Sequence, residues 1–305
     1  MSAQTSSHIV MVRPAAFGYN VETAENNAFQ NKPVSGKETI IQKAIKEFDN
    51  LVQILRAEGI VVEVIQDTSN PAKPDAIFPN NWLSLHDNGM VVTYPIFSPL
   101  RRPERRVEII QHLARHYQVK EHLAMEYFES QGLFLEGTGS MVLDRVNKIA
   151  YACLSPRTDR GVLQVWCEKM GYTPFTFIAM YDQQEVYHTN VMMAIGEGVC
   201  VASLEIVNQS ERVAFRNHLA AGGREVVELS REQIGSFAGN MLAVRNQAGE
   251  QLMVMSSTAH QSLDKEQVEA IEKYARIVSG DIRTIESVGG GSVRCMIAEN
   301  FLPHI

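Results

Sequence analysis

Long apolar runs are missing from this chain of 305 residues. No stretch approaches the roughly 18 consecutive apolar residues that cross a bilayer, so no transmembrane helix is expected. The N-terminal run Ile9-Val10-Met11-Val12 stops at Arg13, too soon for the core of a secretion signal. Cysteine is scarce: Cys153, Cys167, Cys200 and Cys295 lie far apart with no C-x-x-C pairing. They read as reduced thiols of a cytoplasmic protein, not as a disulfide framework. Basic charge is also short, with 28 Lys and Arg against 35 Asp and Glu and a net charge of −7. The one compact basic run, Arg101-Arg102-Pro103-Glu104-Arg105-Arg106, is too small for a nucleic-acid footprint, and no nucleic-acid or membrane partner is expected. No His, Cys and Asp cluster has metal-ligand spacing, so neither a metal nor another cofactor is expected.

What is present is a globular composition, 45% apolar and 21% charged. The length admits two domains, and the expectation is a single catalytic α/β domain over residues 1–305. His8 to Val12 reads as a strand. Glu38 to Leu55 carries Ile41, Ala44, Ile45, Phe48, Leu51, Val52 and Leu55 at helical spacing and closes at Gly59. Val61 to Ile65 is the next strand.

A unit then recurs. Trp82 to Leu85 and Met90 to Thr93 flank Asp87-Asn88-Gly89, a hairpin turn. Similar pairs are Met141 to Leu143 with Ile149 to Ala152, Val191 to Ile195 with Val199 to Ala202, and Met241 to Val244 with Leu252 to Met255. Helical stretches follow at about Pro103 to His116, Arg160 to Met170, Gln209 to Ala221 and Asp264 to Ala275. Strands at Tyr172 to Phe177, Arg224 to Val227 and Asp281 to Ile285 follow three of them. The hairpin openers Asn81, Ser140, Asn190 and Asn240 are spaced by 59, 50 and 50 residues, and another 55 lead to Cys295-Met296-Ile297. The last unit has only His8 to Val12 left as its partner strand. The pattern predicts five ββαβ units in a ring closed by the two chain ends, with five strand starts directed at one axis. An ordinary mixed sheet with helices on both faces is the alternative.

Cys295 follows the loop Gly289-Gly290-Gly291-Ser292, where backbone N–H groups can favour a thiolate. Glu136 sits in Leu135-Glu136-Gly137-Thr138-Gly139, and His188 stands two residues before Asn190. In the ring these three meet, and a thiolate, an imidazole and a carboxylate form a working set for covalent acyl or amidine chemistry. The plainer readings are a buried small residue, a solvated acid and a structural histidine.

Five segments in order resemble the guanidine-modifying enzyme superfamily. They are Pro74-Asp75-Ala76-Ile77-Phe78-x-Asn80-Asn81, Leu135-Glu136-Gly137-x-Gly139, Leu154-Ser155-x-Arg157-Thr158, His188-x-Asn190 and Gly289-Gly290-Gly291-x-x-x-Cys295. That superfamily holds arginine deiminases, dimethylarginine hydrolases, succinylarginine dihydrolase and glycine amidinotransferases. The resemblance implies a five-bladed pseudo-symmetric α/β propeller, the pentein fold, and a C–N hydrolase of arginine metabolism. It implies Cys295 as nucleophile, His188 as general acid and base, and Glu136 as the orienting carboxylate. It also implies Arg157 and Arg105 as grips for a substrate carboxylate, and Asp75 near the amino-acid end of the substrate.

The departures bear on substrate. Arginine deiminases carry aspartates where this chain has Asn81 and Asn190, and the Gly-Gly-Asp end of the glutamate motif is Thr138-Gly139-Ser140 here. A buried cation needs charged partners, whereas a neutral ureido group needs mixed donors and acceptors. Asn81, Asn190 and Ser140 therefore make citrulline the first expected substrate, as in a citrulline ureidase releasing ornithine, carbon dioxide and ammonia. Hydrolysis of arginine or an N-acylarginine is the alternative, amidino transfer a more distant one, and a silent amino-acid-binding relative the non-enzyme reading. The segment Ala15 to Pro33, with Tyr19, Asn20, Asn26 and Asn27, is a candidate cover for the site mouth.

Overall fold

The computed structural model describes residues 3–34 and 36–305. Its repeated unit is an antiparallel hairpin whose second strand takes a parallel third strand. Leu83–Leu85, Met90–Thr93 and Glu121–Ala124 form one such unit, and Val142–Asp144, Ile149–Cys153 and Thr173–Phe177 another. Met193–Ile195, Val199–Ala202 and Glu225–Glu228 repeat it, as do Leu242–Arg245, Gln251–Ser256 and Arg276–Gly280. The two chain ends combine to make the same arrangement: Ala298–Asn300 pairs antiparallel with His8–Arg13, which pairs parallel with Val61–Gln66. Asn300 also pairs with Leu85, which joins two of these units into one six-stranded sheet. The result is a mixed α/β fold in which no sheet closes into a barrel.

Local chemistry accounts for most element ends. Gly89 adopts φ +85° in its hairpin turn, where the Asn88 side chain accepts from the Met90 N–H at 3.0 Å. Lys37–Ala57 is an amphipathic helix that buries Ile40, Ala44, Phe48, Leu51, Val52 and Leu55. Asp159 caps Arg160–Met170 by accepting from the Gly161 and Val162 N–H groups, and Gly171 ends that helix in the left-handed conformation.

One expectation fails here. The last third strand is Arg276–Gly280, and Arg283–Gly289 is helical, so Asp281 to Ile285 is not a strand. The helix before it, Lys265–Glu272, ends early, and Ile277 and Val278 go into the sheet where β-branched residues pack well. The run from Pro103 also splits, into a 3-10 segment Pro99–Glu104 and a short helix Val107–Leu113.

The inner strands Leu83–Leu85, Val142–Asp144 and Met193–Ile195 are buried at every position, and their polar members are partnered, Ser84 by the Tyr94 hydroxyl and Asp144 by Arg224. Single helical turns precede them: Pro79–Asn81, Gly137–Ser140 and Thr189–Val191, with Val293–Met296 before the last strand. These turns crowd together because two glycines leave no side chain in the way. A Cβ at Gly139 would lie 2.4 Å from Asn81 Nδ2 and 2.8 Å from His188 Nδ1, and one at Gly239 would lie 2.4 Å from the Val191 carbonyl oxygen. Alanine at either position would push the turns apart, and with them the side chains of the site. No helix of the described residues is long and apolar enough to cross a membrane.

Candidate active site

The turns deliver Cys295, His188, Glu136, Asn81 and Asn190 to one place. Cys295 is buried at the end of the glycine loop, with its N–H donating to the Ser292 carbonyl at 3.0 Å. Its Sγ receives the Asn240 Nδ2 donor at 3.3 Å and the Asn190 Nδ2 donor at 3.5 Å. Asn240 also donates to the Asn190 carbonyl at 2.8 Å and accepts from the Arg294 N–H at 3.1 Å, so the two amides are held in place. Burial raises the thiol pKa, opposed by the Asn240 hydrogen bond, the Ser292 backbone, Arg294 and Asn190.

Across the cavity His188 Nε2 and Glu136 Oε2 are 2.8 Å apart. The other Glu136 oxygen accepts from the Phe97 N–H at 2.9 Å, and Arg101 and Arg157 each stand 3.8 Å from Oε2. Burial opposes ionisation of Glu136, but His188, Arg157 and Arg101 together outweigh it and hold the carboxyl at about 2. Burial pulls His188 down to about 4 against the attraction of Glu136. At neutral pH the pair is therefore carboxylate and neutral imidazole, and the imidazole is free to take a proton.

This has a consequence for stability. The unfolded chain binds a proton at His188 near 6.5, and the folded chain not until about 4. Stability is complete above 6.5 and falls as the pH drops through that window, by on the order of 2–3 kcal/mol. Urea midpoints at pH 7.5 and pH 5 should show the loss, and His188→Asn should flatten it. An equal slope in that variant would mean other groups carry the acid sensitivity.

The remaining expected residues divide. Asp75 lines the cavity, accepting from Asn20 Nδ2 at 2.7 Å with Arg101 Nε 3.7 Å away. Asn81 lines it too, with its Oδ1 taken by Arg101 Nη1 at 3.0 Å. Arg157 reaches in beside the Tyr187 ring. Ser140 does not reach the cavity. It is fully buried, its hydroxyl donating to the Arg157 carbonyl at 2.8 Å and accepting from the Glu136 N–H at 2.8 Å, so it braces both residues from behind. Arg105 is likewise not a cavity residue. It leaves the 3-10 segment on the outer side and pairs with Glu129 at 2.7 Å.

Arg101, four residues earlier in the same basic run, takes the place expected for Arg105. It is buried, with both Nε and Nη2 donating to Glu104 at 2.9 Å. Sequence reasoning noticed the run but chose the wrong arginine, because the inward face of a 3-10 segment is not visible in spacing. Asn240 was recognised as an opener equivalent to Asn190 but not as a site residue, and that equivalence was the available signal. Glu104 was also missed. Burial pushes it up to about 7 despite Arg101, and burial raises Asp75 against Arg101 and Asn20.

The segment from Asn20 to Asn31 covers the cavity. Thr23 and Asn27 line it, and Asn27 Nδ2 donates to the Gly290 carbonyl at 3.2 Å. Arg157 is engaged from above: its Nε and Nη2 donate to Asn26 Oδ1, and Nη2 also to the Thr23 carbonyl at 3.1 Å. Phe29 is stacked on Tyr181 and packed on Phe237. Only about 20 Å³ remains free, against about 300 Å³ or more in sites that enclose a ligand. The arrangement is closed. Because Asn26 Oδ1 competes with any substrate carboxylate for Arg157, Asn26→Ala is expected to lower KM about fivefold, the worth of one hydrogen bond. An unchanged or raised KM would show that Asn26 assists binding instead. Among the described residues no group of three or more His, Cys, Asp or Glu side chains is placed to hold a metal ion.

The sequence model of the family described as N,N dimethylarginine dimethylhydrolase, eukaryotic, matches residues 13–302. The chain belongs to this family. The family's description is that of a hydrolase of a methylated arginine. A search of curated proteins returns no match. Among solved structures, the chain resembles ArgZ, an arginine dihydrolase from the ornithine–ammonia cycle in cyanobacteria, with a TM-score of 0.74 and 15% identity. That match covers 95% of this chain and 40% of ArgZ, so the chain spans about two fifths of that protein. The N-terminal domain of ArgZ with bound product matches at a TM-score of 0.73 and 15% identity, covering 97% of this chain and 99% of the domain. A dimethylarginine dimethylaminohydrolase, captured as an adduct with S-methyl-L-thiocitrulline, matches at 0.65 and 16% identity, covering 96% of this chain and 99% of that one. At these identities the structures speak to the fold.

Proposed function

We propose that this protein hydrolyses the guanidino C–N bond of an arginine-like amino acid through a covalent intermediate on Cys295. The observation that carries the reading is the charge balance of the site. Three buried carboxyls, Asp75, Glu104 and Glu136, face two buried guanidiniums, Arg101 and Arg157. Asp75 and Glu104 are both held above their usual range. A ligand with one net positive charge completes the balance, and arginine has one where citrulline has none. This reverses the expectation built on neutral side chains. Of those three, Ser140 lies outside the cavity and Asn81 has its oxygen taken by Arg101, keeping only an unpartnered Nδ2 donor, and the acids Asp75, Glu104 and Glu136 remain around the two arginines.

In this reading His188 takes the Cys295 proton, and the thiolate attacks the guanidino carbon. The C–N bond to the terminal amine breaks as His188 returns the proton and ammonia leaves. Water activated by His188 then cleaves the C–S bond of the thiouronium, and the thiolate returns. Glu136 holds the imidazole orientation and Arg157 and Arg101 take the substrate carboxylate. The methylated guanidine in the family's name requires apolar room at the attacked carbon. Here Asn81, Asn190, Asn240 and His188 surround it, which supports an unsubstituted guanidinium. A second reading, citrulline hydrolysis to ornithine, carbon dioxide and ammonia at the same site, is supported by the two amides at the thiol. We also read the five ββαβ units as the blades of an α/β propeller and residues 1–305 as one catalytic unit.

The test follows ammonia, dimethylamine, citrulline and ornithine release with arginine, citrulline and N,N-dimethylarginine in parallel. Arginine turnover supports the charge argument. Citrulline turnover without arginine turnover would overturn it in favour of the ureido reading.

A further inference from the structure

On the face of the glycine loop away from the cavity, Arg294 and Arg145 share a single carboxylate. Arg294 Nη2 is 3.0 Å and Arg145 Nη2 3.4 Å from the same oxygen, Glu299 Oε2. All three side chains are less than a tenth exposed. The second Arg294 nitrogen donates to the Ile297 carbonyl at 2.9 Å, and Arg145 lies 4.0 Å over the Phe301 ring. Two guanidiniums and one carboxylate leave one positive charge buried. Such a charge is costly, and proteins keep it where it is paired or has work to do. Arg294 adjoins the nucleophile in sequence, and its N–H is held by Asn240, whose amide also donates to Sγ.

We propose that Arg145, Arg294 and Glu299 form a positively charged cradle under the glycine loop that stabilises the Cys295 thiolate, with both arginines as positioning residues. The proposal rests on Cys295 being the nucleophile. A void of only about 20 Å³, lined by Gln4, Arg294, Glu299 and apolar side chains such as Met193 and Met241, adjoins the cradle, whose three charged side chains are each less than a tenth exposed. Screening there is weak, so a charge one residue away is felt at sulfur. The direction agrees: Arg294 opposes the burial that raises the Cys295 pKa. Facing the cradle are Tyr94 and Tyr172, with phenols kept protonated by burial, the aromatic-stacked Lys148, and His86, whose pKa burial, Arg145 and Lys148 push well down. Facing the thiol from the cavity are His188, Tyr187, Arg101, Arg157, Glu136 and Asp75.

The experiment follows the rate of Cys295 alkylation by iodoacetamide against pH in the full chain, with the label assigned by peptide mass. Arg145→Met leaves Arg294 and Glu299 as a neutral pair, and the apparent thiol pKa should rise by about one unit, a tenfold slower reaction at pH 7. Glu299→Gln adds positive charge, and the pKa should fall by about as much. Opposite signs are expected of an electrostatic cradle, since structural damage moves both variants the same way. Arg145→Lys, which keeps the charge, should stay near wild type and serves if either other variant fails to fold. Shifts of the same sign, no shift, or an Arg145→Lys value matching Arg145→Met would overturn the proposal. Full turnover after complete labelling would remove Cys295 as nucleophile, a failure of the functional reading visible apart from the charge result.

Discussion

Replacing Cys295 with alanine is expected to lower kcat by about 10⁴-fold or more on any guanidino or ureido substrate. No other group can form the covalent intermediate. Cys153, Cys167 and Cys200 lie in the sheets and an outer helix, with thiols pushed up to about 12 by burial. His188 is committed to Glu136 at 2.8 Å. The fold should survive the change, because the sulfur only receives the Asn240 and Asn190 donors at 3.3 and 3.5 Å. Leaving those amides unanswered costs about 1–2 kcal/mol, so the melting temperature drops by a few degrees. Substrate binding should persist, since Arg157, Arg101 and Asp75 are untouched. Calorimetric titration with arginine then reads affinity without turnover. Residual activity above about 1% of wild type would remove Cys295 from the chemistry.

The second large effect is expected from Glu136→Gln. This carboxylate hydrogen-bonds His188 and the Phe97 N–H and is counter-ion to Arg101 and Arg157, each 3.8 Å away. Glutamine keeps the shape and one acceptor and removes the charge. Two buried guanidiniums then lose a shared counter-ion, and breaking such a pair costs about 3–5 kcal/mol. Two distinct readouts are expected: a fall in the urea midpoint, and a kcat loss of about 10²–10⁴-fold, as for a displaced acid–base partner. His188 loses the anion that supports its protonated form, so its pKa moves below about 4. Histidine titration by NMR would show that movement. A stable Glu136→Gln protein with unchanged kcat would leave Glu136 as a packing residue.

The site shows where reasoning from residues reaches its limit. Cys295, Asn81 and Asn190 were legible as openers of a repeated unit, and Glu136 and His188 as polar residues beside such openers, whereas Asp75 and Arg157 were named only by the family resemblance. The same repeat contained Asn240, and its position alone pointed to the thiol it touches. Ser140 occupied an equivalent register and still turned its hydroxyl back to the Arg157 carbonyl. Equivalent backbone placement does not decide where a short side chain finds its hydrogen bond. Arg105 and Arg101 differ by four residues in one arginine-rich run. A 3-10 segment ends between them, sending Arg101 to Glu104 and Arg105 to Glu129.

The charge of the pocket could be read only after assembly. Counting substituted positions suggested a neutral site, because acids contributed from elsewhere, Glu104 above all, cannot be placed by motif. By itself, the sequence determined the strand and helix pattern, the pairing of His8 to Val10 with the last strand, and the thiol, imidazole and carboxylate that converge. Those follow from hydrophobic period, turn residues and repeat spacing, which are local properties. Tertiary structure alone decided which arginine faces the cavity, that Asn20 to Asn31 close over it, and that Asp75, Glu104 and Glu136 gather around Arg101 and Arg157. Those depend on which side chains segments far apart in the chain bring within a few ångströms, and burial then fixes their charge.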